Sequence, residues 1–530
     1  MTRQLELKGV TASPGYAEGP LFDLDRPLEG RRAKASPDGE AVALADAIAA
    51  ATQRLSDLAA RAPREAAEIV EFQIAMLHDS ALTGPAMAWI AGGISADNAW
   101  ASALDTEIAG YASSANEYFR ARAADIRDIR DRVLRALLLD AESVPSHGAI
   151  LYGDDIAPTQ FLETDWTHGG GIALKAGSTA SHVAMLARSR GVPMVVGLGS
   201  AVKRTACTAL LDAEHGTLVF DPSDAGREHF RAAGAVFAER RSRAERFVGQ
   251  PAVTMLGTSV RVSVNIADPS DVARIDIATC DGVGLMRTEF LFGKAGGLPD
   301  EETQYAAYRR VLEWAAGKPV TIRTIDAGGD KPISGLTIEE TNPFLGLRGI
   351  RLSLARPEIF RVQIRALLRA AVHGNLKVMF PMIAIPSEYE RAAALFDEEA
   401  SALAAAGTAH KLPPLGIMVE VPCVAIAPEE FSQVAFFSIG SNDLTQYVVA
   451  AARDNGNVSA LNSVRNPAVL KLISQVAAFG AATGISVSLC GDAGGDPTAL
   501  PALLEAGLRD LSVAPAQLAL AKSAIAAAAV

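Results

Sequence analysis

Several absences set the first limits. Only 6% of the 530 residues are aromatic, and the four cysteines, Cys207, Cys280, Cys423 and Cys490, show no CxxC spacing. Such scatter offers neither a zinc site nor a disulfide framework and suits a reducing cytoplasm. The N-terminus, MTRQLELKGVTASPG, lacks the apolar stretch of a signal peptide, and no uncharged run is long enough to span a bilayer. A cytoplasmic protein without membrane insertion is therefore expected. Net positive charge is missing as well: 49 Lys and Arg stand against 61 Asp and Glu, giving -12. Nucleic acid is thus not an expected partner, although a local basic pocket could still take a small anion.

What is present is the composition of a folded protein, 49% hydrophobic and 21% charged, in a chain too long for one core. Residues 4–24 read as strand, Gly/Pro turn, strand. From about 38 to 138 apolar residues recur at helical spacing, as in Leu44, Ile48, Leu55 and Leu58, then Phe119, Ile126, Val133 and Leu137. Strand signals resume near HGAILYGDDIAPTQF (147–161), so the helices are expected as an insertion in one α/β domain. A charged helical segment, 227–247, links this domain to eight short apolar runs: VRVSVNI, GVGLMRT, VTIRTID, LKVMFPM, GIMVEV, AFFSIG, ISVSLC and DLSVA. Helices between the runs predict a (β/α)8 TIM barrel. The expected divisions are 1–30 with 142–222, 31–141, 223–250 and 251–530.

Barrels of this kind carry their chemistry at the C-terminal strand ends. The runs end on Asn265, Arg287 and Glu289, Arg323 and Asp326, Pro381, Glu420, Asn442 and Asp443, and Cys490. Arginine binds phosphate and carboxylate bidentately, while sparse carboxylates suit magnesium. A small phosphorylated carboxylic acid would satisfy both. In GSTASHVAML (177–186), His182 stands at a turn-to-helix junction, where Ser178 or Thr179 could cap and free N-H groups would favour an anion. His182 is thus a candidate nucleophile that becomes a phosphohistidine.

Many motifs in order carry a family resemblance: GVTASPGYAEGP, FQIAMLHDSAL, SHVAMLARSRGVPMVVG, GVGLMRTEFLF, RTIDAGGDK, NPFLGLRGIRL, GIMVEVP, FFSIGSNDLTQYVVAAARDN and SLCGDAGG. Over nearly its whole length the chain resembles Enzyme I of the phosphoenolpyruvate-dependent phosphotransferase system. The resemblance implies a swivelling phosphohistidine domain with an inserted helical subdomain, followed by the barrel. It implies that His182 takes the phosphoryl group of phosphoenolpyruvate and passes it to a small histidine phosphocarrier protein docked on the inserted helices. By position, Arg287, Arg323, Arg348, Asn442 and Arg453 match substrate-binding residues, with Lys331 in the same shell. Glu420 and Asp443 match ligands of Mg2+, and Cys490 matches the thiol that protonates the enolate to pyruvate. A homodimer through the barrel and a hinge within 222–250 are implied too.

The chain departs from the family pattern at Ala157, Ala180 and Val421, each where threonine is common, and at Asp492, where glutamate is common. It also ends about forty residues after Cys490. Wording around His182 is similar to that of relatives supplying dihydroxyacetone kinases, so the downstream acceptor stays open between sugar transport and such a kinase. Pyruvate phosphate dikinases share two of the domains but need an ATP-binding domain, and no Gly-rich phosphate loop is present. A slow phospho-sensor with a mainly regulatory role is the alternative.

Overall fold

The structure, a computed structural model, describes residues 5–26, 32–61, 64–112, 117–138, 145–177, 181–199, 207–292, 298–329, 333, 335–338, 340–452, 458 and 461–530. The chain divides into two units, residues 1–237 and 238–530.

In the first unit the strands are β1 (Leu5–Lys8), β2 (Val10–Ser13), β3 (Tyr16–Asp23), β4 (Ile150–Gly153), β5 (Gly171–Leu174), β6 (Met194–Val196), β7 (Thr208–Asp212) and β8 (Thr217–Phe220). They form one sheet in the order β1-β8-β7-β3-β4-β5-β6-β2, with β3 to β6 parallel and the flanks antiparallel. The fully buried pattern of β4, β5 and β6 explains their unbroken apolar runs, since both faces are covered.

Between β3 and β4 the chain leaves for five helices, α1 (Pro37–Arg61), α2 (Arg64–Leu77), α3 (Ser80–Ala91), α4 (Ala96–Ala112) and α5 (Glu117–Leu138). It returns to the neighbouring strand, with Leu21 opposite Ile150. The helices bury their own core of Leu44, Leu55, Val70, Ile90, Trp100, Ile126 and Val133. Each such side chain contributes about 1.5–3 kcal/mol relative to exposure. The helical stripes read from sequence are those that pack here, with Ile48 and Leu58 at the margin and Leu137 inside; the Phe119 side chain lies outside the described ones. A buried polar tie joins α5 to α6 (Pro158–Glu163): Arg132 donates to both Glu163 oxygens at 2.7 and 2.9 Å and to Asp128 Oδ2 at 2.9 Å. Thr159 Oγ1 adds a 2.6 Å bond to Asp128.

Two further helices of the first unit bear on function, α7 (His182–Arg190) and α8 (Asp224–Glu245), and the division between units falls within α8. In the first unit Phe230 and Phe237 of α8 pack on Tyr16 at ring separations of 5.3 and 5.5 Å.

After the end of α8 the second unit continues with a short β9 (Ala252–Val253), antiparallel to β10. The barrel follows as β10 (Ser259–Ile266), β11 (Val283–Met286), β12 (Pro319–Arg323), β13 (Asn375–Phe380), β14 (Leu415–Val419), β15 (Phe436–Ile439), β16 (Ser486–Leu489) and β17 (Asp510–Val513). All eight pair in parallel, and β10 closes the cylinder by pairing with both β11 and β17. Each of the eight apolar runs became one strand. Inside, Leu285, Met379, Met418, Phe436 and Cys490 fill the barrel beneath its C-terminal mouth. Among the described residues no helix is long and apolar enough to cross a membrane.

Candidate active site

At the barrel mouth the residues that directly follow the strands converge. Glu420 follows β14, Cys490 follows β16, Arg287 follows β11, and Arg323 ends β12. Asn442 and Asp443 lie in the first turn of the helix Ser441–Val449 after β15. Arg348 arrives from a loop just before the helix Ile350–Ala355 and is fully buried.

The centre is a lattice of charge. Arg348 bonds Asp326 through Nε at 3.2 Å and Nη2 at 3.1 Å, and bonds both oxygens of Asp443 at 3.3 Å. Arg323 reaches Glu289 Oε1 at 3.0 Å and Asp326 Oδ2 at 3.0 Å, while its Nε is buried without a partner among the described residues. Burial weakens both guanidinium charges, yet the adjoining carboxylates outweigh it and hold both above the usual arginine range. Glu420 behaves in the opposite sense. Burial, with Asp443 and Asp326 nearby, raises its carboxyl to about 8, and its Oε1 accepts Met382 N at 2.7 Å.

Two buried guanidinium groups thus face four carboxylates, Glu289, Asp326, Glu420 and Asp443. Glu420 and Asp443 stand together at the mouth as an all-oxygen donor pair, which fits a hard divalent cation. Such an ion would take the place of the proton that burial favours on Glu420.

Two features hold these groups in position. Met382 has φ 58, a strained conformation for a non-glycine residue, and its N-H is the one that fixes Glu420. Gly491 must be glycine because a Cβ there would stand 1.9 Å from Ser441 Oγ, where the turn after β16 crosses the start of the Asn442 helix. Asn442 and Asp492 exchange hydrogen bonds at the rim, Nδ2 to Oδ2 at 2.9 Å and Asp492 N to Oδ1 at 3.1 Å. Cys490 is 2% exposed, and burial raises its thiol to about 11. It therefore holds its proton at neutral pH.

The sequence-predicted residues divide into three groups. Arg323, Arg348, Glu420 and Asp443 share the lattice, and Cys490 lies in the packed interior just beneath. Arg287 is half-buried; its backbone N-H bonds Ile266 O at 3.0 Å, and its guanidinium has no hydrogen bond or ion pair among the described residues. Asn265 serves the barrel wall instead, bonding Cys490 O at 3.2 Å and accepting from Ser512 Oγ at 2.6 Å. Lys331 and Arg453 lie outside the described residues. Residues that sequence reasoning missed include Tyr447, whose Oη accepts from Arg348 at 3.2 Å. Its spacing of four from Asp443 puts both on one helix face, a signal available in the sequence.

His182 opens α7 in the first unit. Ser178, Thr179 and Ala180 lie outside the described residues; the cap is Ser181, whose Oγ accepts Ala184 N at 3.2 Å. The helix begins one residue after its cap, so the serine adjoining the histidine does what was expected of an earlier hydroxyl. Gly191 closes α7 in the left-handed region, φ 66, its N-H bonding Ala187 O and Arg188 O. Ala157 caps α6 with no side-chain bond.

Three family profiles match in sequence. The PEP-utilising enzyme N-terminal profile covers residues 8–122, the mobile-domain profile 124–216 and the PEP-binding-domain profile 241–530. A phosphoenolpyruvate-protein phosphotransferase of Enterococcus faecalis is 36% identical over 525 residues, 96% of this chain and 91% of its own. One of Bacillus subtilis is 36% identical over 535 residues, covering 98% of this chain and 94% of that protein. Among solved structures, that of Enzyme I (nEIt) is similar over 44% of this chain and 99% of its own, at a TM-score of 0.35 and 24% identity. With matching profiles for all three regions and such relatives along nearly its whole length, the chain belongs to the PEP-utilising enzymes, among the phosphoenolpyruvate-protein phosphotransferases.

Proposed function

We propose that the barrel mouth binds phosphoenolpyruvate and that His182 receives its phosphoryl group, with pyruvate released. The observation that carries this is the lattice of Arg323 and Arg348 with Glu420 and Asp443 at the strand ends. Arg287 and the buried Arg323 Nε are donors still available to an incoming phosphate or carboxylate, with Asn442 at the rim. Arg348, Arg453 and Lys331 complete the proposed substrate set. Glu420 and Asp443 would hold Mg2+, which when bound offsets phosphate charge and polarises the phosphoryl oxygens.

The chain's own residues then perform three tasks. The arginines align phosphate and carboxylate so that the phosphorus faces an approaching imidazole in line. A nitrogen of His182 forms the new bond to phosphorus as the bond to the enol oxygen breaks, and the N-H groups of the first turn of α7 favour the anion it then carries. The Cys490 thiol gives its proton to the methylene carbon of the enolate, producing pyruvate. Because His182 and the barrel belong to different units, the reaction requires them to meet and then part. The phosphoryl group afterwards passes to a histidine of a small phosphocarrier protein, for which the inserted helices α1 to α5 are the proposed dock. A homodimer through the barrel and a cytoplasmic location belong to the same proposal, as do the divisions at 1–30 with 142–222, 31–141, 223–250 and 251–530.

The test is incubation with Mg2+ and phosphorus-labelled phosphoenolpyruvate beside a His182→Ala variant. Acid-labile, base-stable label on the wild type alone, with equal pyruvate, is expected. Label retained by His182→Ala, or none on the wild type, would sink the assignment.

A further inference from the structure

The first unit carries a cluster that phosphoryl transfer does not use. β4 and β5 run parallel, and the segments entering them place His147 three residues before β4 and His168 three residues before β5. This is the end of the sheet opposite to the one that leads into α7. Asp165 caps the single 3-10 turn Trp166–His168, its Oδ1 accepting Thr167 N at 2.9 Å and Thr167 Oγ1 at 2.6 Å. Those Thr167 bonds hold the carboxyl ionised, down to about 2, and its Oδ2 turns to the two imidazoles.

His168 Nδ1 stands 3.1 Å from Oδ2, a hydrogen bond, whereas His147 Nδ1 stands at 3.8 Å, too far for one. The rings themselves lie 4.4 Å apart. One nitrogen of each ring and a carboxylate oxygen all fall within 4.8 Å of one another. The backbone beneath is closely built. Gly148 and Gly170 have φ 72 and 103, and a Cβ on Gly170 would stand 2.6 Å from Ala149 O. The two entering segments are therefore pressed together, and their side chains spring from fixed points.

We propose that His147, Asp165 and His168 form a binding site for a divalent transition ion of the zinc or cobalt class, separate from the carboxylates of the barrel. Two imidazoles and one carboxylate suit such ions, while magnesium demands oxygen. Bonds of about 2.0–2.1 Å set tetrahedral ligands roughly 3.3 Å apart, so the exposed side chains need only rotate inward by about 1–2 Å. The second imidazole, which the carboxylate cannot hydrogen-bond, then gains a partner. Water fills the remaining positions. The ion clips the entry of β4 to the entry of β5, and its effect falls on the stability of this sheet rather than on the transfer step.

The test uses the full-length protein without an affinity tag, in excess Mg2+ so that the barrel carboxylates are occupied. Co2+ is titrated in and followed by its visible absorption, then displaced with Zn2+. One equivalent of Co2+ is expected, with affinity at least about tenfold weaker in His147→Ala and in His168→Ala, and weakened also in Asp165→Asn. Pyruvate release from phosphoenolpyruvate should be unchanged in all three, which also reports their folding. No Co2+ uptake by the wild type, or equal uptake by the double His147→Ala/His168→Ala variant, overturns the site. Loss of pyruvate release in well-folded variants overturns its separateness from catalysis.

Discussion

Burial raises the Cys490 thiol from 9.0 to about 11, so the thiol keeps its proton in the packed space among Leu285, Met379, Met418 and Phe436. The folded chain binds this proton more tightly than the unfolded one. Its contribution to stability is therefore complete below about pH 9 and lost as pH climbs to about 11, with an upper bound of about 2–3 kcal/mol at 1.36 kcal/mol per unit. Denaturant titrations of wild type and Cys490→Ala at pH 8 and pH 11 should show the wild type losing more stability across that interval. Equal losses would place the thiol in a far wetter setting. At this scale the sequence was partly legible. Arg323, Glu420 and Cys490 lie at or directly after apolar runs, and strand geometry alone carries them to the mouth. Arg348 follows a loop with no periodic signal, so only the resemblance pointed to it. Nothing in the residue type marks Met382, because its φ of 58 is imposed by the surrounding chain.

Helix α7 begins at His182, the proposed phosphoryl acceptor, and its nine residues are too few to be stable by propensity alone. Its end bonds consequently matter. Ser181→Ala removes the acceptor for Ala184 N and should cost about 1 kcal/mol, visible as faster amide exchange in the first turn of α7 and slower phosphorylation of His182. Unchanged exchange would mean that packing of Val183 and Ala187 holds the helix unaided. Barrel elements were the most legible part of the chain, since strands covered on both faces must be apolar throughout. The support behind them was not. Gln363 joins Ile325 N, Thr288 Oγ1 and Tyr308 Oη at 3.0, 3.3 and 3.1 Å, and Thr288 Oγ1 bonds Arg323 O at 3.0 Å. Such a network draws on three distant segments, and no local pattern records it.

The two units hold separate cores, the barrel core in the second and the helical and sheet cores in the first. Calorimetry of the His182→Ala variant should accordingly show more than one transition. Phosphoenolpyruvate with Mg2+ should raise only that of the barrel, by about 2.7 kcal/mol at a hundredfold excess over Kd. A single transition that moves as one would contradict separate cooperative units. The placement of α1 to α5 between two hydrogen-bonded neighbours, β3 and β4, bears on kinetics as well. Leu21 cannot meet Ile150 until the intervening chain has been drawn in, and the entropy of closing so long a loop opposes the encounter. Helices form from contacts close in sequence and bury Trp100 and its neighbours without help from the sheet. The five helices should therefore condense first, shortening the path between the strands, with the central parallel pair of the sheet expected to zip only after its own insertion has folded.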